Sequence, residues 1–275
     1  MHFQGSFLHW HRYFTWLYER ALRTECNYTG YQPYLNWPRY ALDLHNAPVF
    51  DGSPSSIGGN GAYDPTNNGT NVPSNAAPNI VLPPEGGGGC ITTGPFANTT
   101  IRLGPVTPAL NNVPPNPLPN GLGYNPRCIR RDISSTAAKK YLNDEHFAYV
   151  LRSSKNISAF QTTLQGNFPA GYLGIHTAGH FSVGGDPGGD LFASTSDPYF
   201  FLHHAAIDRA WWIWQNLAPG GKRYNEIAGT LTVNNTPPSR NATLDDLLEM
   251  GPLGDTISIR KGVDTLSGPY CYVYE

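Results

Sequence analysis

The chain is 275 residues long, and 18 Lys and Arg against 20 Asp and Glu leave a formal net charge of −2. That balance, with no block of Lys or Arg, excludes the electrostatic footprint of a nucleic-acid binder or of a protein drawn to anionic membranes. Only 14% of residues are charged, while 30 Gly, 25 Pro and 12% aromatics describe a folded, loop-rich chain and exclude a disordered one; no apolar run reaches the roughly 18 residues of a membrane helix.

Residues 6–25 lack Gly and Pro, and Phe7, Trp10, Phe14, Leu17 and Ala21 recur at steps of three and four, which predicts a helix that Ser6 can cap. Residues 46–126 are rich in Gly, Pro and Asn, with GGGG at 86–89 and PPNPLPNG at 114–121. They predict turns and irregular surface rather than core elements. Helices are expected over 137–152 and 156–165, with a helical turn or two in 170–182. The run YFFLHHAAIDRAWWIWQNL then reads as a long, buried, aromatic helix, bounded by Pro198 and by Pro219-Gly220-Gly221. From 222 onward turns alternate with short β-like runs.

The four cysteines, Cys26, Cys90, Cys128 and Cys271, form no C-x-x-C pair, which argues against a zinc ribbon or a thioredoxin-type site. Two disulfides fit the count, with three connectivities open. The favoured pairing is Cys90–Cys128, clamping the long loop, with Cys26–Cys271 tying the C-terminal end to the first helix. Six N-x-[ST] sequons, at Asn27, Asn68, Asn98, Asn156, Asn234 and Asn241, add to an expectation of a secreted glycoprotein. No basic-then-apolar leader follows Met1, so the chain reads as N-terminally incomplete.

Nine histidines carry the chemistry, and most lie on or beside aromatic-rich helices. His176 and His180 form H-T-A-G-H, an i, i+4 pair whose imidazoles share a helix face and can hold one ion. Thr177 stands where a zinc protease has its Glu base, which excludes that reading. His203 or His204 is the obvious third donor. Asp208, four residues after His204, either orients an imidazole or pairs with an Arg. His9 and His11 differ by about 200° on a helix, so one of the two is expected to face inward. His2 belongs to the segment before that helix and, close to the chain start, is expected to be poorly anchored. An all-imidazole set suits copper, zinc, iron or nickel.

Three motifs occur in order: His2 with FLHWHRYF, then HTAGH, then DPYFFLHHAAIDRAWWIWQ. Together they resemble the tyrosinase and catechol oxidase family of type 3 dicopper proteins, and the short, sequon-rich form is similar to secreted fungal polyphenol oxidases. The resemblance spans almost the whole chain. Tyr272-Val273-Tyr274 is similar to the tyrosine motif that closes the family's catalytic domain. The resemblance implies one catalytic domain over 1–275 of mainly α class, a helical-bundle core holding two copper ions amid long Gly/Pro-rich loops and a few short strands. It implies His2 and His11 as ligands of the first copper and His176, His180 and His204 as ligands of the second. His203 and His9 match no ligand. Phe200 matches the aromatic stacked over the substrate, and His204 with Phe200 is implied in catalysis. Leu191 matches an entrance position of variable bulk, and Thr177 and Phe181 flank the ligands where substrates pass. The family has a further first-copper histidine upstream of His2; His45 and His146 are poor substitutes for it.

The implied reaction is oxidation of o-diphenols to o-quinones by O₂, in a protein that is a monomer or weak dimer. Some tyrosinases hold a catalytic water on a Glu; before His176 this chain has Gln165 and Asn167, and amides are poor bases. That favours diphenol oxidation over monophenol hydroxylation. Two alternatives share the motifs: a haemocyanin-like O₂ binder, and a catalytically impaired protein with an incomplete first-copper site.

Overall fold

The structure is a computed structural model that describes residues 1–72 and 80–275. Residues 73–79, part of the stretch expected to be irregular, lie outside the described residues. Seven helices are present among the described residues: α1 Phe7–Cys26, α2 Trp37–Tyr40, α3 Ser135–Tyr141, α4 Asp144–Ser153, α5 Ile157–Gln165, α6 Gly174–Val183 and α7 Tyr199–Asn216. Eight short strands accompany them: β1 Gly61–Tyr63, β2 Thr70–Val72, β3 Ile80–Leu82, β4 Gly88–Ile91, β5 Thr100–Ile101, β6 Arg127–Cys128, β7 Leu247–Leu248 and β8 Ile257–Ser258. They pair antiparallel as β1–β4, β2–β3, β5–β6 and β7–β8. The class is mainly α, as expected. None of the described helices is long and apolar enough to cross a membrane.

The chain divides into two compact units. The first comprises Met1–Leu35, Ala148–Gln165 and Phe201–Glu275. Here α1 runs uninterrupted because it lacks Gly and Pro, and it ends where Asn27 turns left-handed and returns its N–H to the Leu22 carbonyl. Ser6 holds the N-cap position without capping through its side chain. One side of α1 lays Tyr13 and Leu17 into a cluster with Leu248, Met250, Ile259 and Tyr270. In α7, Trp214 stacks on Phe160 of α5 with centroids 4.9 Å apart and donates its indole N–H to the Ser154 carbonyl at 2.8 Å.

The second unit comprises Asn36–Phe147 and Gly166–Phe200. The long Gly/Pro-rich stretch does more than form surface. Its five strands and β6 pair with one another, and Ile91 and Ile101 join Ile129 in a small buried cluster. The Cys90–Cys128 disulfide ties β4 to β6, as favoured from the sequence. The helix expected over 137–152 is two helices, because Asn143 breaks it: its side-chain oxygen accepts the His146 N–H at 3.0 Å and so starts α4. Glu85 and the Ser134 hydroxyl accept the first N–H groups of α3. Ser134 N–H donates to the Ser182 carbonyl at 2.7 Å, tying the start of α3 to the end of α6. Just beyond α6, Gly185 sits at φ +73°, where a Cβ would meet the Arg130 carbonyl at 2.0 Å.

The expected Cys26–Cys271 bond does not form; both thiols are free and exposed. Tyr270 packs on Tyr13 and Trp16, so position 271 lies abreast of the middle of α1. Cys26 is ten residues further along, about 15 Å at the helical rise, whereas disulfide Cα atoms lie within roughly 7 Å.

Candidate metal centre

In the first unit, three imidazoles gather at the N-terminal end of α1. The rings of His11 and His204 stack with centroids 4.2 Å apart and planes 9° from parallel, and His2 lies 5.4 Å from His11. All three are buried. His11 puts its Nδ1 2.7 Å from the Phe7 carbonyl, one turn back. That bond fixes the tautomer with hydrogen on Nδ1 and leaves the Nε2 lone pair for a metal. His2 is better anchored than its place near the chain start led us to expect. It is 7% exposed, and the following residue is held on both sides: Phe3 N–H donates to Gln165 Oε1 at 2.8 Å, and Phe3 O accepts the Asn234 N–H at 3.1 Å.

His9 and His11 are both buried, contrary to the expectation that only one faces inward. The N-terminal half of α1 is covered on more than one side, with His9 edge-on to Trp211 at 4.7 Å. Neither ring nitrogen of His9 has a hydrogen-bond partner, and burial together with the nearby Arg12 charge lowers its pKa to about 3. It is a neutral core ring. His203 is also buried, its ring 5.0 Å from that of His204. His45 and His146 are half-buried, and His146 bonds Asn143 and stacks on Tyr172.

Asp208 makes no hydrogen bond to an imidazole. One oxygen takes the Arg12 Nε–H at 2.5 Å, and the other takes the hydroxyls of Tyr272 at 2.6 Å and Tyr274 at 2.7 Å. Arg12 is fully buried, donates also to Val263 O and Gln215 Oε1, and lies 3.7 Å over the Trp211 ring. Two buried charges are tolerable in this geometry because their polar valences are filled. The pair joins the helix of His11 to the helix of His204, one residue after the first and four after the second. The tyrosines' pKa values rise well above the usual value, because burial and the Asp208 charge both oppose a phenolate.

In the second unit, α6 presents His176 and His180 on one face, ring centroids 4.9 Å apart and both buried. One ring nitrogen from each lies within 4.8 Å of the other. His180 Nδ1 is 3.1 Å from the Gly188 carbonyl, which again leaves Nε2 as the metal-facing nitrogen. Burial lowers the His180 pKa to about 4, so the ring is neutral and its lone pair available at neutral pH. Phe200 is buried 6.2 Å from the His180 ring. Thr177 is buried, Phe181 half-buried and Leu191 38% exposed.

Two buried carboxylates here escaped the sequence reading. Asp190 accepts backbone N–H groups from Val106, Thr107, Phe192 and Ala193, bracing the loop that carries Leu191. Asp197 forms a bidentate pair with Arg131 at 2.9 and 2.7 Å, both side chains fully buried, and caps α7 through Tyr199 N–H at 2.9 Å. The sequence signal was available in each case: an Asp among glycines, and an Asp-Pro opening a helix.

The donors are buried imidazoles, two of them with Nδ1 held by a backbone carbonyl and no thiolate among them, a set that suits copper, zinc, iron or nickel. The family model for the common central domain of tyrosinase matches residues 1–217. The chain belongs to the tyrosinase family. An oxidase of Aspergillus hancockii, Oxidase hkm6, is 38% identical over 279 residues, covering 100% of this chain and 94% of its own. Tyrosinase P of Aspergillus terreus is 36% identical, with 100% and 76% covered. A polyphenol oxidase variant from Thermothelomyces thermophila superimposes with a TM-score of 0.91 at 42% identity, covering 100% of this chain and 74% of that one. The tyrosinase family is one of type 3 copper oxidoreductases that act on phenols with O₂, and this chain has its fold.

Proposed function

We propose that this tyrosinase-family protein oxidises o-diphenols to o-quinones with O₂, using one copper ion held through His176, His180 and His204 and a second held through His2 and His11. The observation that carries the reading is the parallel stack of His11 on His204 at 4.2 Å, which sets a residue of the first-copper motif against a residue of the second. His176 and His180 in addition share one face of α6, both buried, with one ring nitrogen from each within 4.8 Å of the other. Bound copper supplies the electron exchange: two catechols each give up two electrons and two protons, one O₂ becomes two waters, and two quinones leave.

The chain's own groups do the rest. Phe7 O and Gly188 O orient His11 and His180. Neutral imidazoles leave the ions' positive charge uncompensated, which favours a docked phenolate. Phe200 offers an aromatic face beside His180, and Leu191, Thr177 and Phe181 set the bulk along the approach. Before His176 the chain has Gln165 and Asn167 rather than the Glu that holds a water in some tyrosinases, and Gln165 Oε1 accepts the Phe3 N–H. Diphenols are therefore the preferred class.

We place the protein outside the cell as a single catalytic domain. All six sequon asparagines are exposed, as glycosylation requires. Assay of the purified protein with 4-tert-butylcatechol tests the reading. Quinone formation that disappears in His180→Ala supports it, and a dicopper protein that forms no quinone rejects it in favour of O₂ binding alone.

A further inference from the structure

Phe3 has φ +51°, in the left-handed region that a phenylalanine rarely occupies, so something outside the residue must hold it there. Its amide and carbonyl are both engaged. Gln165, 3% exposed at the end of α5, accepts the Phe3 N–H at 2.8 Å, and the Asn234 N–H donates to Phe3 O at 3.1 Å. Gly5 N–H donates to Thr230 O at 2.9 Å, and Gln161 Nε2 reaches Ala228 O at 3.4 Å, joining α5 to the same tail loop. The segment carrying His2 is thus gripped from two sides, with the grip applied one residue from the imidazole. The Gln165 amide is itself aimed by its Nε2–H, 3.4 Å from the Gln161 carbonyl.

We propose that Gln165 is a positioning residue for the first copper ion: its side-chain oxygen fixes the backbone next to His2 and so presents that imidazole toward His11. The inference rests on the dicopper reading above, and it assigns Gln165 a task different from holding a water for the substrate. A group that orients a ligand in this way is worth about 10–100-fold in metal affinity.

The test is copper retained per chain after dialysis of the loaded protein against a series of chelator concentrations, read by elemental analysis. It compares the unaltered protein with Gln165→Leu, Gln165→Asn, Gln165→Glu, His2→Ala and the His2→Ala/Gln165→Leu double variant. Leu removes the acceptor. Asn keeps a buried amide but withdraws its oxygen by about one bond length, which covers the case in which the Leu variant does not fold. Glu keeps an acceptor in reach. The clamp predicts that the unaltered protein keeps two ions while Leu, Asn and His2→Ala each lose one, at chelator about 10–100-fold more dilute. Glu retains more copper than Leu, and the double variant is no worse than His2→Ala alone, since both act on one ligand. If Leu and Asn hold both ions as tightly as the unaltered protein, the clamp is overturned. If the unaltered protein itself binds no second ion, it is the dicopper reading that fails, and the clamp with it. If copper is unmoved but Gln165→Glu gains monophenol hydroxylation, Gln165 acts on the substrate's water instead.

Discussion

At the scale of single residues, neighbouring histidines have opposite fates according to what their nitrogens meet. His180 and His11 each set one nitrogen on a backbone carbonyl, whereas His9 meets only the edge of Trp211 and bonds nothing. His180→Ala should therefore lower the copper content and abolish quinone formation, measured by elemental analysis and absorbance. His9→Leu should keep both, at a stability cost of less than about 1.5 kcal/mol for a swap of similar volume, measured by urea unfolding. Loss of copper from His9→Leu would mean that the wrong imidazoles are assigned. Spacing alone made His176 and His180 legible as a pair. It could not reveal that His9 and His11 are both buried, because helical phase describes one helix and not the number of neighbours it has.

Among the elements, α1 and α7 are locked by charge as well as by packing. Arg12 and Asp208 are buried, and each uses its remaining valences on partners from elsewhere in the chain. Asp208→Asn leaves the guanidinium without its counter-charge and should cost about 3–5 kcal/mol, read as a shift of the unfolding midpoint. Tyr272→Phe removes one bond to a charged acceptor and should cost about 1.5–3 kcal/mol. In the sequence the Arg inside an aromatic helix and the Asp four residues after His204 were both visible, but not that they meet, since 196 residues separate them. The tail loop supplies a pH-dependent contact of a different kind. Arg240, ahead of other bonds from Thr243, lowers the Asp246 pKa to about 2. Folding therefore favours the carboxylate, and this stability is complete above the unfolded pKa near 4 and is lost as pH falls toward 2. Protection of the Thr243 amide, whose N–H donates to Asp246 at 2.7 Å, should fall relative to its intrinsic exchange rate over that window, and in Asp246→Asn this pH-dependent loss of protection should be absent.

For the molecule as a whole, the mainly α class and the order of the histidine motifs were readable from hydrophobic period and spacing, which are local. The core made by the Gly/Pro-rich stretch was not, because two- to four-residue strands leave no periodic trace and are held by pairings far apart in sequence. The Cys90–Cys128 bond shows the same dependence. It spans 38 residues, and in chain-entropy arithmetic such a loop is worth about 4 kcal/mol. Replacing both cysteines by alanine should lower the unfolding midpoint accordingly, while mild alkylation of Cys26 and Cys271 in the folded protein should leave it unchanged.

The most direct test of the central claim, that buried imidazoles of this tyrosinase-family chain hold a copper pair that oxidises diphenols, is metal stoichiometry determined on the same sample as catechol turnover. The account predicts two copper ions per chain and quinone formed at one O₂ consumed per two catechols. A fully loaded protein with a single ion, or with two ions and no quinone, would contradict it.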